Sequence, residues 1–179
     1  VDQAYLDYLH ERVVGAAVEA AQSPEPAELA WTSAQVDGVG CNRHDPEDGA
    51  RDPEASILAV RRPDDGSLLA LSVTYSVHPT VMHEDSTLVS ADFPGMMRLH
   101  LQEELGDDLT ILYHTGPAGN QSPRYHVNGQ TFAEATRLGR RLGNFVFTAL
   151  HQIDHYTTEP ELVGVDLPLS LPWRDLPSV

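Results

Sequence analysis

The sequence has 179 residues, of which 41% are hydrophobic, and a formal net charge of −16 with no lysine. This length and apolar content suffice for one domain with a core, and the negative charge disfavours binding to nucleic acid or anionic membranes. No apolar run approaches the roughly 20 residues of a membrane span. The single cysteine, Cys41, excludes an internal disulfide and a cysteine-based zinc cluster. Because the chain begins with Val1 and ends on a proline-rich tail, we interpret it as a segment of a longer protein.

The N-terminal part of the chain predicts one helix, one strand and a long loop. Apolar residues follow helical spacing from Asp2 to Gln22, with polar residues opposite them, which indicates an amphipathic helix. Leu29 to Val36 is predicted as a strand, with Leu29 and Trp31 on one face. Gly38 to Glu54 is a polar loop, and loops of this length tend to be functional or mobile.

A β-hairpin is predicted next. Strands over Ser56–Arg61 and Leu68–Val77 are joined by Arg62–Gly66, whose proline, aspartates and glycine are typical of a turn. The second strand is rich in β-branched and aromatic residues, which indicates burial. Pro79 cannot donate a hydrogen bond to the sheet, so regular pairing should stop near His78. His78 is therefore expected at the end of a core strand, where sites collect in α/β folds.

The second half of the chain predicts two helices and two strands. A helical pattern runs from Met96 to Leu105, and Asp92 is placed to cap its start. The remaining predicted elements are a strand over Leu109–Tyr113, a helix over Thr131–Ile153 whose buried side begins with Phe132, and a strand over Glu161–Leu169. This order predicts an α/β fold with a mixed β-sheet flanked by helices, formed by residues 1–179 as a single domain.

His78 is the first candidate for chemistry. A histidine is more often a core residue bonded to the backbone than a ligand, but a place at a strand end beside a polar loop favours a metal ligand or base. His83, in that loop, is more typical of a solvated residue. His151 and His155 have zinc-binding spacing, but the helix dipole explains them, so we reject the pair as the main metal site.

Two further loops carry candidate groups. Ser122 lies in a Gly-Pro-Ala-Gly-Asn-Gln-Ser-Pro-Arg run directly after a predicted strand. Successive N–H groups there could form an anion-binding concavity, and an ordinary turn explains the run equally well. Asn42 and Arg43 lie in the long loop. Arginine can stabilise developing negative charge and asparagine can orient a carbonyl, although a loop arginine is usually a surface ion pair.

Four segments together resemble the neutral ceramidase family. They are Asn42-Arg43, the Ser-Val-His-Pro-Thr run that contains His78, the Val-Ser-Ala-Asp-Phe-Pro-Gly run that follows it, and the Ala-Gly-Asn-Gln-Ser-Pro run that contains Ser122. Their order and spacing agree with the family, as do the helix before them and the long helix after them. The resemblance covers nearly the whole chain but only a middle portion of that family's catalytic domain.

The resemblance implies a zinc-dependent amidase that cleaves the N-acyl bond of ceramide or a related N-acyl lipid. In the family, the histidine that matches His78 binds Zn²⁺, the serine that matches Ser122 is essential, and the arginine that matches Arg43 arranges the reacting groups. We place Asn42 beside them as a further catalytic candidate. The zinc implied by the resemblance would lower the pKa of bound water from 15.7 to about 7, and Ser122 would either attack the acyl carbonyl itself or position that water. A secreted or cell-surface location is also implied.

The family completes its zinc site with a second histidine upstream and with a glutamate and a tyrosine downstream, and none of these has a counterpart here. One histidine cannot hold a catalytic zinc, which needs three protein ligands and a water. The remainder of the catalytic domain is therefore the expected partner of this chain. Two alternatives stay open: a metal hydrolase of the same fold that acts on another amide or ester, and a non-catalytic binding module that kept the scaffold.

Overall fold

A computed structural model describes residues 2–84 and 86–170. Its helices are α1 (Gln3–Gln22), α2 (Asp92–Leu105) and α3 (Phe132–Leu150). Its strands are β1 (Glu28–Gln35), β2 (Cys41–Asn42), β3 (Glu54–Arg61), β4 (Leu68–Tyr75), β5 (Thr110–Thr115) and β6 (Gln121–Ser122). The predicted α/β class is confirmed, and the loop predicted over residues 38–54 contains the short strand β2.

The main sheet has four strands in the order β1-β3-β4-β5, and β2 pairs with β6 in a separate ribbon. β1, β3 and β4 are antiparallel to one another, whereas β4 and β5 are parallel, so the predicted mixed sheet is confirmed. The hairpin between β3 and β4 turns at Gly66, which has a φ of 72°. Glycine adopts that conformation without a steric penalty. α2 lies in the connection between the parallel strands, as such a crossover requires.

The hydrophobic core lies between one face of this sheet and the helices α2 and α3. Residues of β3 and β4 alternate, so that one face is fully buried, as at Ile57 and Val73. Leu29 and Trp31 share the opposite face of β1, where Trp31 is 68% exposed. The main contributors from the helices are Phe93, Met97, Leu101, Leu138, Leu142 and Val146.

The start of α2 differs from the prediction. The helix begins at Asp92, four residues early, and Ala91 occupies the cap position. Pro94 is tolerated because the first turn of a helix needs no N–H at that point. Asp92 has a φ of 51°, and its carboxylate accepts hydrogen bonds from the N–H groups of Phe93 (2.7 Å) and Met82 (2.8 Å). It ties the helix to the loop after β4 rather than capping the helix.

α3 is close to its predicted range, but its first residue is not on the buried side. Phe132 was predicted there and is 42% exposed. Thr131, directly before it, caps the helix by accepting a hydrogen bond from the N–H of Glu134 at 3.2 Å. Arg137 donates to the Glu134 carboxylate at 2.7 Å and lowers the pKa of Glu134 to about 2. The first turn of α3 is therefore well satisfied, and it is the turn nearest the candidate site.

Replacing Thr131 by alanine should lower the free energy of unfolding by about 1 kcal/mol, because the N–H of Glu134 loses its acceptor. Urea denaturation followed by circular dichroism measures this change. Thr131→Ser keeps the hydroxyl and should retain most of the stability. Equal stability of the alanine and serine variants would contradict the capping role.

The predicted strand over 161–169 is wrong. The structure describes these residues without strand pairing, and Leu162 and Leu169 are each 83% exposed. Alternating residues favour a strand, but a strand forms only when its N–H and C=O groups find a partner. Thr157, just before this segment, forms an isolated antiparallel bridge with Leu29 of β1. With that register, the chain beyond Thr157 runs off the end of β1.

α1 is confirmed as a helix, and Asp2 caps it by accepting from the N–H of Ala4 at 2.9 Å. It contains no buried residue, so the predicted apolar stripe faces outward in this chain. No helix in the described part of the chain is both long and apolar enough to cross a membrane.

Candidate active site

The ribbon formed by β2 and β6 joins two of the loops singled out from the sequence. Cys41 pairs with Ser122, and Asn42 pairs with Gln121. The N–H of Arg43 continues the ribbon by donating to the carbonyl of Asn120 at 2.7 Å. The Asn-Arg segment and the serine run are therefore held side by side by backbone hydrogen bonds.

His78 is attached to the same ribbon. The β4 ladder ends at Tyr75, two residues before the predicted end of the strand at Val77. The N–H of His78 donates instead to the carbonyl of Gln121 at 3.2 Å. The histidine is therefore bonded to the residue directly before Ser122. The two groups lie at one edge of the fold, as expected for a strand-end site.

Arg43, His78 and Ser122 line one cavity of about 500 Å³. Ser122 is buried, whereas Arg43 and His78 are half-buried. The other described lining residues are Thr80, Val81, Met82, His83, Glu84, Arg124, Val127 and Gln130. The structure therefore brings three of the four predicted site residues together, and their chemical roles stay predictions.

Asn42 is the predicted residue that does not line this cavity. Its side-chain oxygen accepts hydrogen bonds from the N–H groups of His44 (2.9 Å) and Asp45 (3.2 Å). Its side-chain nitrogen donates to the carbonyl of Ala50 at 2.9 Å. These bonds occupy the amide and fold the loop that follows β2. In this arrangement Asn42 shapes the loop next to Arg43.

A polar network that joins the serine run to the end of β4 through Asp52 was missed in the sequence. The side-chain oxygen of Gln121 accepts from the N–H of Asp52 at 3.0 Å, and the Asp52 carboxylate accepts from the Ser76 hydroxyl at 3.0 Å. Gln121 and Ser76 are 2% and 3% exposed. A Cβ on Gly116 would lie 2.6 Å from the Ser76 oxygen, so glycine permits the close approach of the serine run to the end of β4.

Burial shifts the pKa of two titratable groups near the site in the direction that favours their neutral forms. Burial raises the pKa of the Cys41 thiol, which opposes formation of a thiolate nucleophile. Burial also lowers the pKa of His126, in the turn after Ser122. Neither side chain lines the cavity. The Ser122 hydroxyl is therefore a better candidate nucleophile or donor than the thiol opposite it.

A groove of about 420 Å³ adjoins the cavity and shares the lining residues Met82 and Gln130 with it. Its other lining residues include Leu88 and Phe132, which are 64% and 42% exposed. Exposed apolar side chains at one rim of a polar cavity suit a ligand that has both a polar and a hydrocarbon part. Phe132, which was predicted to be buried, is therefore exposed and helps to form this groove.

The described residues contain no group of three histidine, cysteine, aspartate or glutamate side chains that could hold a metal ion. In the pair rejected from the sequence, the Nδ1 atom of His151 lies 2.8 Å from the carbonyl oxygen of Phe147, and His155 is exposed. His78 is thus a single candidate ligand. A catalytic zinc needs three protein ligands, so the described residues do not make a zinc site by themselves.

Comparison with solved structures finds this fold in ceramidases. A ceramidase solved as a complex with C2 matches with a TM-score of 0.67 and 20% identity, over 76% of this chain and 24% of that chain. The neutral ceramidase from Pseudomonas aeruginosa matches with a TM-score of 0.65 and 20% identity, over 78% of this chain and 25% of that chain.

The chain therefore has a ceramidase-like fold, and the resemblance seen in the sequence is confirmed at that level. It spans about a quarter of the length of the ceramidase chains it matches. No protein-family model matches the sequence, and no curated protein matches it significantly.

Proposed function

We propose that this chain supplies part of the catalytic centre of a zinc-dependent amidase that hydrolyses the N-acyl bond of ceramide or a related N-acyl lipid. The observation that carries the proposal is the cavity in which Arg43, His78 and Ser122 meet from three separate segments. The ceramidase-like fold supports it. The activity is that of the complete protein, since this chain covers about a quarter of the ceramidases it matches.

Arg43 is the group best suited to stabilise negative charge on the acyl oxygen. Its guanidinium carries several N–H donors in a planar fork and lines the cavity. The described residues offer its buried Nε atom no hydrogen-bond partner, and none of them forms an ion pair with it. Removing one donor to a developing oxyanion typically costs on the order of 10²–10³ in rate.

Ser122 provides a hydroxyl beside Arg43 and His78. Its oxygen accepts from the N–H of Arg124 at 3.4 Å, which leaves its own proton available to donate. A nucleophilic serine is normally activated by a base within hydrogen-bond reach. Within the described residues no side chain hydrogen-bonds to this hydroxyl, so we favour the role in which Ser122 orients the attacking water or the acyl carbonyl.

The apolar groove supports a lipid substrate. Met82, Leu88 and Phe132 form a hydrocarbon-lined surface that is continuous with the cavity through Met82. Burial of each methylene of an acyl chain is worth about 0.8 kcal/mol. A chain in this groove would place the amide of its headgroup near Ser122.

Zinc is proposed with His78 as one ligand and with the other ligands from parts of the protein outside the described residues. We therefore expect about one zinc per complete protein and none bound stoichiometrically by residues 1–179 alone, because three protein ligands are needed. Inductively coupled plasma mass spectrometry measures both. His78→Ala should remove zinc and turnover together, and His151→Ala is the matched control that keeps both. Zinc retained at full occupancy in the His78 variant would remove it from the ligand set.

The function itself is tested by release of fatty acid from an N-acyl sphingosine by the complete protein, followed by mass spectrometry. Hydrolysis of the amide is the expected result. Hydrolysis of a different amide or an ester, with the N-acyl sphingosine untouched, would favour another substrate on the same fold. Binding of the lipid without any turnover in the zinc-loaded protein would favour a binding module.

A further inference from the structure

The cavity has the opposite charge to the protein around it. The chain carries 27 acidic and 11 basic residues. Of the described residues that line the cavity, however, two are arginines, Arg43 and Arg124, and one is acidic, Glu84. With histidines counted as neutral, these groups leave one net positive charge. Among the described residues, the lining is therefore locally positive in a protein of net charge −16, which favours a negatively charged ligand.

Arg124 is placed to act on the same ligand as the reacting groups. It lies two residues after Ser122, and its backbone N–H donates a hydrogen bond to the side-chain oxygen of Ser122 at 3.4 Å. Its side chain is exposed at the cavity, whereas Arg43 is half-buried in it. One guanidinium is therefore available for the acyl oxygen, and the other is available for a second negative group of the ligand.

Most of the other described arginines are paired with carboxylates. Six of the ten described arginines form ion pairs with carboxylates: Arg51, Arg61, Arg62, Arg137, Arg140 and Arg141. Arg12, Arg43, Arg98 and Arg124 form none within residues 2–84 and 86–170, and of these four only Arg43 and Arg124 line the cavity. Two guanidiniums without a carboxylate partner among the described residues therefore meet at one cavity, where an external anion can bind them.

We propose that the preferred N-acyl lipid substrate carries a carboxylate close to the scissile amide, as in an N-acyl amino acid, and that Arg124 binds this carboxylate. The inference rests on the proposed amidase function and names its preferred substrate class. Guanidinium and carboxylate match in a bidentate, charge-assisted pair, and a carboxylate suits the locally positive described lining of the cavity. Hydrolysis then breaks the amide C–N bond; water gives its oxygen to the acyl carbon and a proton to the nitrogen, which releases a fatty acid and an amino acid.

The experiment compares N-lauroylglycine with N-lauroylethanolamine, in which a neutral hydroxymethyl group replaces the carboxylate on the same acyl chain. The complete, zinc-loaded protein should prefer N-lauroylglycine in kcat/KM. Arg124→Gln should lower kcat/KM for N-lauroylglycine by about 10- to 100-fold, mostly through KM, and change the neutral substrate by less than about twofold. Arg98→Gln, an exposed arginine of α2 outside the cavity, is the matched control and should change neither.

Equal losses on both substrates, or no preference in the wild-type protein, would overturn the proposal. Hydrolysis of ceramide but of neither lauroyl substrate would overturn it and leave the amidase function standing. If no amide is hydrolysed at all, the amidase function fails, and calorimetric titration of N-lauroylglycine still decides the anion site. The anion site is supported if N-lauroylglycine binds more tightly than N-lauroylethanolamine and if Arg124→Gln abolishes this difference. Equal binding of the two compounds to the wild-type protein overturns it.

Discussion

Replacing Ser122 by alanine is expected to lower the turnover of the complete protein by on the order of 10³-fold or more. The hydroxyl is the only group that the change removes, and it lies in the cavity between Arg43 and His78. The fold should persist, because the backbone of Ser122 pairs with Cys41 and its side chain makes one long hydrogen bond. Initial rates on the N-acyl lipid, zinc content and the melting temperature measure these three outcomes.

Ser33→Ala is the matched control, since this serine is exposed on β1 and lies outside the cavity. Full activity of Ser122→Ala would remove Ser122 from the mechanism. Loss of zinc along with activity would instead show that Ser122 supports the metal. A burst of product with a captured acyl-enzyme in the wild type would assign attack to Ser122, against the positioning role that we favour.

Much of the fold is predictable because it is encoded locally. The turn at Gly66 and the two apolar runs around it suffice to predict the hairpin of β3 and β4. Helical spacing suffices for α1 and α3, and Gly106 marks the end of α2 at a φ of 128°. In each case the signal lies within a few residues of the element that it specifies.

The errors occur where the outcome depends on a distant partner. The segment 161–169 alternates like a strand, but it has no neighbouring strand within the described residues. Asp92 has the side chain of a helix cap, yet it bonds to Met82, ten residues earlier, and the helix starts around it. The local sequence favours a strand over 161–169 and a helix cap at Asp92, but the available hydrogen-bond partners determine which structure forms.

The candidate site likewise contains some residues that local sequence patterns predict and others that only the structure reveals. His78 is found from its place before a proline at a strand end, and Ser122 from its glycine-containing run. The network that holds them joins Gln121 to Asp52 across 69 residues of sequence, so no local pattern predicts it. Arg124 escaped notice because a surface arginine is ordinary in sequence, and only the cavity shows its relation to Ser122.

At Gly139, α3 packs closely against the backbone of α2. A Cβ on Gly139 of α3 would lie 2.6 Å from the carbonyl oxygen of Phe93 and 2.7 Å from the backbone nitrogen of Met97. Both atoms belong to the backbone of α2, so neither can move aside as a side chain can. α2 is tied at its start to Met82, and α3 begins just after Gln130, and both of these residues line the cavity.

Gly139→Ala is therefore expected to destabilise the protein although alanine is the better helix former. The steric cost is about 3 kcal/mol, against about 1 kcal/mol gained in helix propensity, which leaves a net loss of about 2 kcal/mol. The melting temperature should therefore fall by roughly 4–8 °C for a chain of this size. Gly15→Ala on α1, where a Cβ meets nothing within 4 Å, is the matched control and should gain about 0.5–1 kcal/mol. A Gly139 variant as stable as the wild type would mean that α2 and α3 separate at no cost, and the shape of the cavity would then not depend on their packing.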